Sequence, residues 1–111
     1  MGELRELPVV VLVTVPNRDI AEKIANVLVG EHIAACVNIV SGVVSVYFWE
    51  GKICRDEELL LIIKTRASLM GKVVDAVRQL HPYTVPEIIA LPITSGFERY
   101  IKWVEDVTLE N

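Results

Sequence analysis

The segment richest in reactive groups is His81-Pro82-Tyr83-Thr84-Val85-Pro86-Glu87. It sets an imidazole, a phenol and a carboxylate among two prolines. Each proline fixes its own φ, so these polar groups sit on a stiffened backbone. A borderline metal such as Cu(II) accepts imidazole nitrogen, thiolate sulfur and carboxylate oxygen. On that chemistry the candidate metal ligands are His81, Cys36 and Glu87. The competing role for His81 is structural, as a residue that ends a helix and meets its dipole. His32 also follows a helical stretch and reads as structural. Lys64 closes an apolar stretch. It offers a cation to an anionic ligand, or an ion-pair partner to Glu87. Tyr47, Trp49 and Tyr83 are candidate walls of a small-molecule cleft, with packing in a core or interface as the alternative. The chain has no glycine loop built to cradle phosphate and no metalloprotease histidine pair. No nucleophile and base stand at a telling spacing, so no catalytic residue is assigned and the chain reads as non-catalytic.

Hydrophobic periodicity supplies the elements that must position these residues. Residues 9–15 form an unbroken aliphatic, β-branched run ending at Pro16-Asn17, as in a central strand buried on both faces. Asn17 is a good helix N-cap, with Asp19 in the first turn. Ile20, Ile24, Val27 and Leu28 then repeat at helical spacing, and Gly30 is placed to close the helix. Residues 33–49 are rich in β-formers. Ser41-Gly42 marks a bulge or bend within them. A turn at residues 50–52 returns the chain through a strand over 53–65, giving an unusually long hairpin. Residues 65–68 open a second helix that lines one face with Leu69, Val73, Val74, Val77 and Leu80. Pro82 ends it, because the residue before proline leaves the α region. Residues 87–93 read as a fourth strand. Ser95-Gly96-Phe97-Glu98 has the form of a capping box and starts a third helix, with Tyr100, Ile101 and Val104 inward. Residues after Asp106 read as a tail. The order β-α-β-β-α-β, then α, is the ferredoxin-like α+β arrangement of a four-stranded antiparallel sheet with helices on one face.

Composition narrows the function classes. The 111 residues suit one domain over 1–111, with its core at about 8–107. The formal net charge is −4, and no run of basic residues forms a patch. Neither nucleic acid nor an anionic membrane is expected as a partner. Residues 1–6 are charged and unlike a signal peptide, and Glu6 replaces the Ser or Thr of a myristoylation signal. The apolar run at 33–49 is interrupted and shorter than the about 20 residues of a transmembrane helix. Cys36 and Cys54 lack metal-knuckle spacing. They sit toward opposite ends of the hairpin, roughly 35–40 Å apart at strand rise, too far to bridge. Two free thiols fit a reducing compartment, and the chain is expected to be cytoplasmic.

Hydrophobic residues make up 52% of the chain, although a short chain has much surface for its volume. Two helices cover one face of a sheet. Leu59-Leu60-Leu61-Ile62-Ile63 is apolar on both. The second face is therefore expected to be buried by another copy of the chain; the alternative is that the third helix covers it. The long hairpin also exposes backbone edges suited to pairing between subunits.

Several segments together resemble the CutA divalent-cation tolerance proteins. They are Ala34-Ala35-Cys36-Val37-Asn38, Tyr47-Phe48-Trp49-Glu50-Gly51-Lys52-Ile53, Glu58, Ile63-Lys64-Thr65 and His81-Pro82-Tyr83. Pro86-Glu87-Ile88-Ile89, Leu91-Pro92-Ile93 and Tyr100-Ile101-Lys102-Trp103 complete the set. The likeness runs from about Val9 to Val107. It implies a tight homotrimer with PII-like architecture, in which hairpin arms join sheets across subunits. It also implies a role in tolerance to copper and other divalent cations, with Cu(II) or a similar ion as a ligand and no obligatory cofactor. Val13 and Leu80 stand where some bacterial members carry further candidate ligands, so Cys36 and His81 remain of that set. A second reading is a PII-like sensor of a small anionic ligand, bound in an intersubunit cleft near Lys64, His81, Tyr83 and Glu87.

Overall fold

The aliphatic run folds as β1, Pro8–Val15, whose burial alternates strictly along its length. Val9, Val11, Val13 and Val15 are sealed in the core, while Val10, Leu12 and Thr14 on the other face are half-buried. The structure is a computed structural model that describes residues 7–109. The reading of residues 1–6 lies outside that range. Helix α1, Arg18–Gly30, starts where Asn17 predicts, with the Asn17 carboxamide oxygen accepting from the Ile20 N–H at 2.9 Å. Strands β2, Cys36–Trp49, and β3, Lys52–Arg66, form the long hairpin. A single 3-10 turn, Ala67–Leu69, leads into α2, Met70–Leu80. Strand β4, Ile88–Pro92, and helix α3, Glu98–Asp106, follow.

The sheet order is β2-β3-β1-β4, with every pairing antiparallel. The core lies between one face of this sheet and helices α1 and α2. Ala21, Ile24 and Leu28 from α1 and Val73 and Val77 from α2 meet Leu61 and Ile63 of β3 there, all fully buried. β1 is central, as its composition requires, but only its helix-facing side is fully buried within one chain.

The hairpin outruns the sheet. The last β3 residue paired with β1 is Leu59, opposite Val15, so residues 43–58 pair only with one another. The Cα radius of gyration is 14.6 Å and the long axis is 44 Å; a compact chain of this length has a radius near about 13 Å. The expected bulge falls at the root of this arm. Val40 opposes Leu60 and Val43 opposes Glu58, with Gly42 at φ +80° between them. The extra residue changes which β2 positions share a face with the even-numbered residues of β3. Cys36, Asn38 and Val40 do so before the bulge; Val43, Ser45, Tyr47 and Trp49 do so after it.

Four local expectations are corrected. Gly30 does not close α1: it stays helical, Glu31 is the cap residue, and His32 takes the left-handed turn at φ +61°. Two contacts support that conformation. The His32 ring nitrogen Nδ1 lies 3.1 Å from the Val107 carbonyl, and the Leu109 N–H donates to the His32 carbonyl at 2.8 Å. Ser95 does not cap α3, whose cap residue is Phe97 with no side-chain capping bond. Tyr100 is 39% exposed rather than inward, and Val104 carries the buried contact. Residues 107–109 are docked rather than a loose tail: Arg66 Nε donates to Thr108 Oγ1 at 2.9 Å.

That docking holds α3 over one end of the second sheet face, beside Pro8, Arg66 and Cys36. The rest of the face stays open. Val40, Ile89 and Leu91 are 41%, 49% and 49% exposed. The alternative that the third helix covers this face holds only at that end.

Candidate functional site

His81 ends α2 because Pro82 forces it into extended backbone, at φ −84° and ψ 134°. Its side chain turns into the fold and is 7% exposed. Nε2 lies 2.7 Å from the Thr14 carbonyl at the end of β1. A carbonyl oxygen only accepts, so Nε2 carries the proton. Nδ1 accepts from the Tyr83 N–H at 3.2 Å. Both ring nitrogens are thus engaged, Nε2 as donor and Nδ1 as acceptor. Its ring sits 4.6 Å from that of Tyr83. The Tyr83 hydroxyl donates to Glu58 Oε2 at 2.9 Å, and Glu58 is 6% exposed.

Glu58 stands at the root of the arm, on the open-face side. Asp56 and Cys54 follow on the same side of β3, and Tyr47 donates to the Asp56 carboxylate. Two phenol–carboxylate pairs therefore lie side by side. Burial, then the bond to Glu58, pushes the Tyr83 phenol well above its ordinary range. The bond to Asp56 pushes Tyr47 up to about 12. Both phenols stay protonated and act as donors near neutral pH.

Cys36 and Lys64 occupy the other end of the open face, directly opposite one another. Lys64 Nζ lies 3.9 Å from Cys36 Sγ and donates to the Asn38 carboxamide oxygen. Burial, then the neighbouring Cys36 thiol, pushes the Tyr100 phenol up. Lys64 is six residues from Glu58 along β3, roughly 20 Å at strand rise. It does not pair with Glu87, which is exposed in the loop before β4. Trp49 sits farther out on the arm, 45% exposed.

The expected ligand set was Cys36, His81 and Glu87. Within one chain it is divided between the two ends of the face, and the described residues hold no metal-ligand cluster of three. A cation would also have to displace a hydrogen bond to reach either His81 nitrogen. These residues do not fit a three-donor metal centre in a single chain. Of the expected cleft, the structure brings together Tyr83, Tyr47 and His81 and leaves Lys64 apart. The sequence does not single out Thr14 or Asp56, and it gives Glu58 no role. The alternation of Cys54, Asp56 and Glu58 was the available signal, since it puts three polar groups on one side of a strand.

A split β-α-β sheet carrying a long two-stranded arm, with a strapped His-Pro-Tyr loop at the arm's root, defines a narrow class of α+β protein. The chain belongs to the CutA1 divalent ion tolerance protein family, whose family model matches residues 9–107. It is 55% identical over 100 residues to the chloroplastic protein CutA of Arabidopsis thaliana, covering 90% of this chain and 55% of that protein. It is 50% identical over 99 residues to the divalent-cation tolerance protein CutA of Thermus thermophilus, covering 89% of this chain and 96% of that one. The chain thus spans about half the length of the Arabidopsis relative and nearly all of the Thermus one. The crystal structure of CutA1 from Oryza sativa superposes with a TM-score of 0.92 at 47% identity, covering 97% of this chain and 99% of that chain.

Proposed function

We propose that this chain works as a non-catalytic homotrimer in the cell's tolerance of divalent cations. The observation that carries the reading is the open sheet face. Val40, Ile89 and Leu91 lie uncovered on it, and the half-buried Leu12, Leu60 and Ile62 lie between them. Contiguous apolar surface of this kind marks an interaction site. The arm stands beside it with a 14-residue edge strand, β2, open to pairing. A second copy supplies both an apolar face and a strand edge. Three copies close a ring in the PII-like manner that the sequence resemblance implies.

Cu(II) or another divalent cation is a ligand of this assembly rather than a resident cofactor. The Cys36 thiol is a soft donor at the covered end of the face, and Glu87 is open to solvent. Calorimetric titration of Cu(II) into the wild type and Cys36→Ser tests this role. Weaker binding by the variant supports it, and identical isotherms remove Cys36 as a donor. The two free thiols favour the cytoplasm as the place of action. Among the described residues, no helix is long and apolar enough to cross a membrane.

Lys64 favours a second reading, a sensor of a small anion in a cleft between copies. It is half-buried on the open face, and its hydrogen-bond partners are an amide and a thiol rather than a carboxylate. A thermal-shift screen of nucleotides and metabolites distinguishes the two readings, because site-specific binding raises the midpoint. A hit abolished by Lys64→Met supports the sensor; no hit counts against it.

A further inference from the structure

We propose that His81 is a positioning residue which, acting through Tyr83 and Glu58, fixes the angle at which the β2–β3 arm leaves the sheet. Three hydrogen bonds in series make the strap. They join the Thr14 carbonyl to His81 Nε2–H, His81 Nδ1 to the Tyr83 N–H, and the Tyr83 hydroxyl to Glu58. One end is the rim of the central strand and the other is the arm. The strap reaches the arm at its most compliant point. Support from β1 ends at Leu59, and Glu58 is the next residue outward. The bulge lies at the same level, between the Val40–Leu60 and Val43–Glu58 pairs. A two-stranded ribbon twists more freely than a broad sheet, and a bulge bends it further. Without a tie, the arm pivots there. Pro82 makes the tie stiff, and the buried imidazole, set against the Tyr83 ring at a 53° tilt, makes it specific.

The same geometry separates His81 from metal chemistry. Its two nitrogens are committed to the strap, so a cation binds it only by dismantling the arm's support. The strap belongs to a single chain. Where the arm also joins copies, the strap sets the angle of that joint and deepens the assembly reading above.

The test places spin labels on Asn26→Cys, on the exposed side of α1, and on Ile53→Cys near the arm tip. Cys36→Ser and Cys54→Ser remove the native thiols, and labelled chains are diluted into unlabelled ones. Pulsed electron–electron distances in this background are expected to give one narrow distribution. Tyr83→Phe and His81→Ala are expected to broaden or shift it. Glu58→Gln retains an acceptor oxygen for the Tyr83 hydroxyl and is expected to keep it narrow. An unchanged distribution in Tyr83→Phe overturns the proposal. Nitrogen-15 spectra give a second readout, with the His81 proton on Nε2 and unmoved by one equivalent of Zn(II). Loss of that proton on adding Zn(II) overturns the positioning role. A wild type that scatters light as a monomer removes the trimer but leaves the distance test standing.

Discussion

Tyr83 and His81 show how residue chemistry here serves structure. Tyr83 is held protonated by burial and then by its bond to Glu58. Its folded pKa is raised above the ordinary 10.0. In the unfolded chain the phenol ionises near its ordinary value, so above about pH 10 the unfolded state binds fewer protons than the folded state. The contribution of Tyr83 is therefore complete below about pH 10 and is lost as pH rises toward its folded pKa. Urea unfolding from about pH 8 to about pH 11 is expected to show a steeper alkaline loss for the wild type than for Tyr83→Phe. Tyr47 acts with the same sign. His81→Ala leaves the Thr14 carbonyl and the Tyr83 N–H without their partners and opens a cavity. Its expected cost is about 2–4 kcal/mol in urea unfolding, with the Cu(II) isotherm unchanged. The sequence shows that His81, Tyr83 and Glu87 sit on a stiff segment. It does not show which of them turns inward, because the partners Thr14 and Glu58 are distant in the chain and join only through the sheet register.

At the scale of elements, the bulge at Gly42 is the most consequential local feature. Its φ of +80° is strained for any residue with a Cβ, although the space around it is open. Gly42→Ala is expected to cost about 1 kcal/mol from backbone conformation alone. Deletion of Gly42 is expected to straighten the arm's root while keeping its register, because it leaves one residue opposite Leu59 and Val43 still opposite Glu58. Tyr47 then keeps its bond to Asp56, and a tyrosine titration midpoint that stays raised checks that outcome. The bulge was legible because Ser-Gly interrupts an otherwise continuous β-run. The end of α1 was not, because a glycine stood at a plausible position while tertiary contacts from residues 107 and 109 held His32 in the left-handed turn instead. Ser95 failed as a cap for a similar reason: a capping pattern states what a local segment can do, and the chain's entry into α3 begins at Phe97.

The whole molecule returns to its apolar surplus. The fold buries the centre of one sheet face, on β1 and β3, and leaves the other face half-covered, with α3 on one end of it. The two-faced apolar character of residues 59–63 was legible from alternation alone, and the structure places Leu61 and Ile63 in the core and Leu60 and Ile62 on the open side. Where α3 lands was not legible, because it depends on the Arg66–Thr108 contact across the fold. Leu91→Glu puts a charge at a site 49% exposed in one chain. The isolated subunit tolerates such a surface change within about 0.5 kcal/mol, but a buried unpaired charge at an interface costs several times more. The variant is expected to stay folded by circular dichroism and to dissociate in sedimentation. The central claim, that copies of the chain cover the open face, is tested most directly by light scattering at micromolar concentration. The account predicts a mass three times the 12.4 kDa of the chain; the mass of a single chain would contradict it.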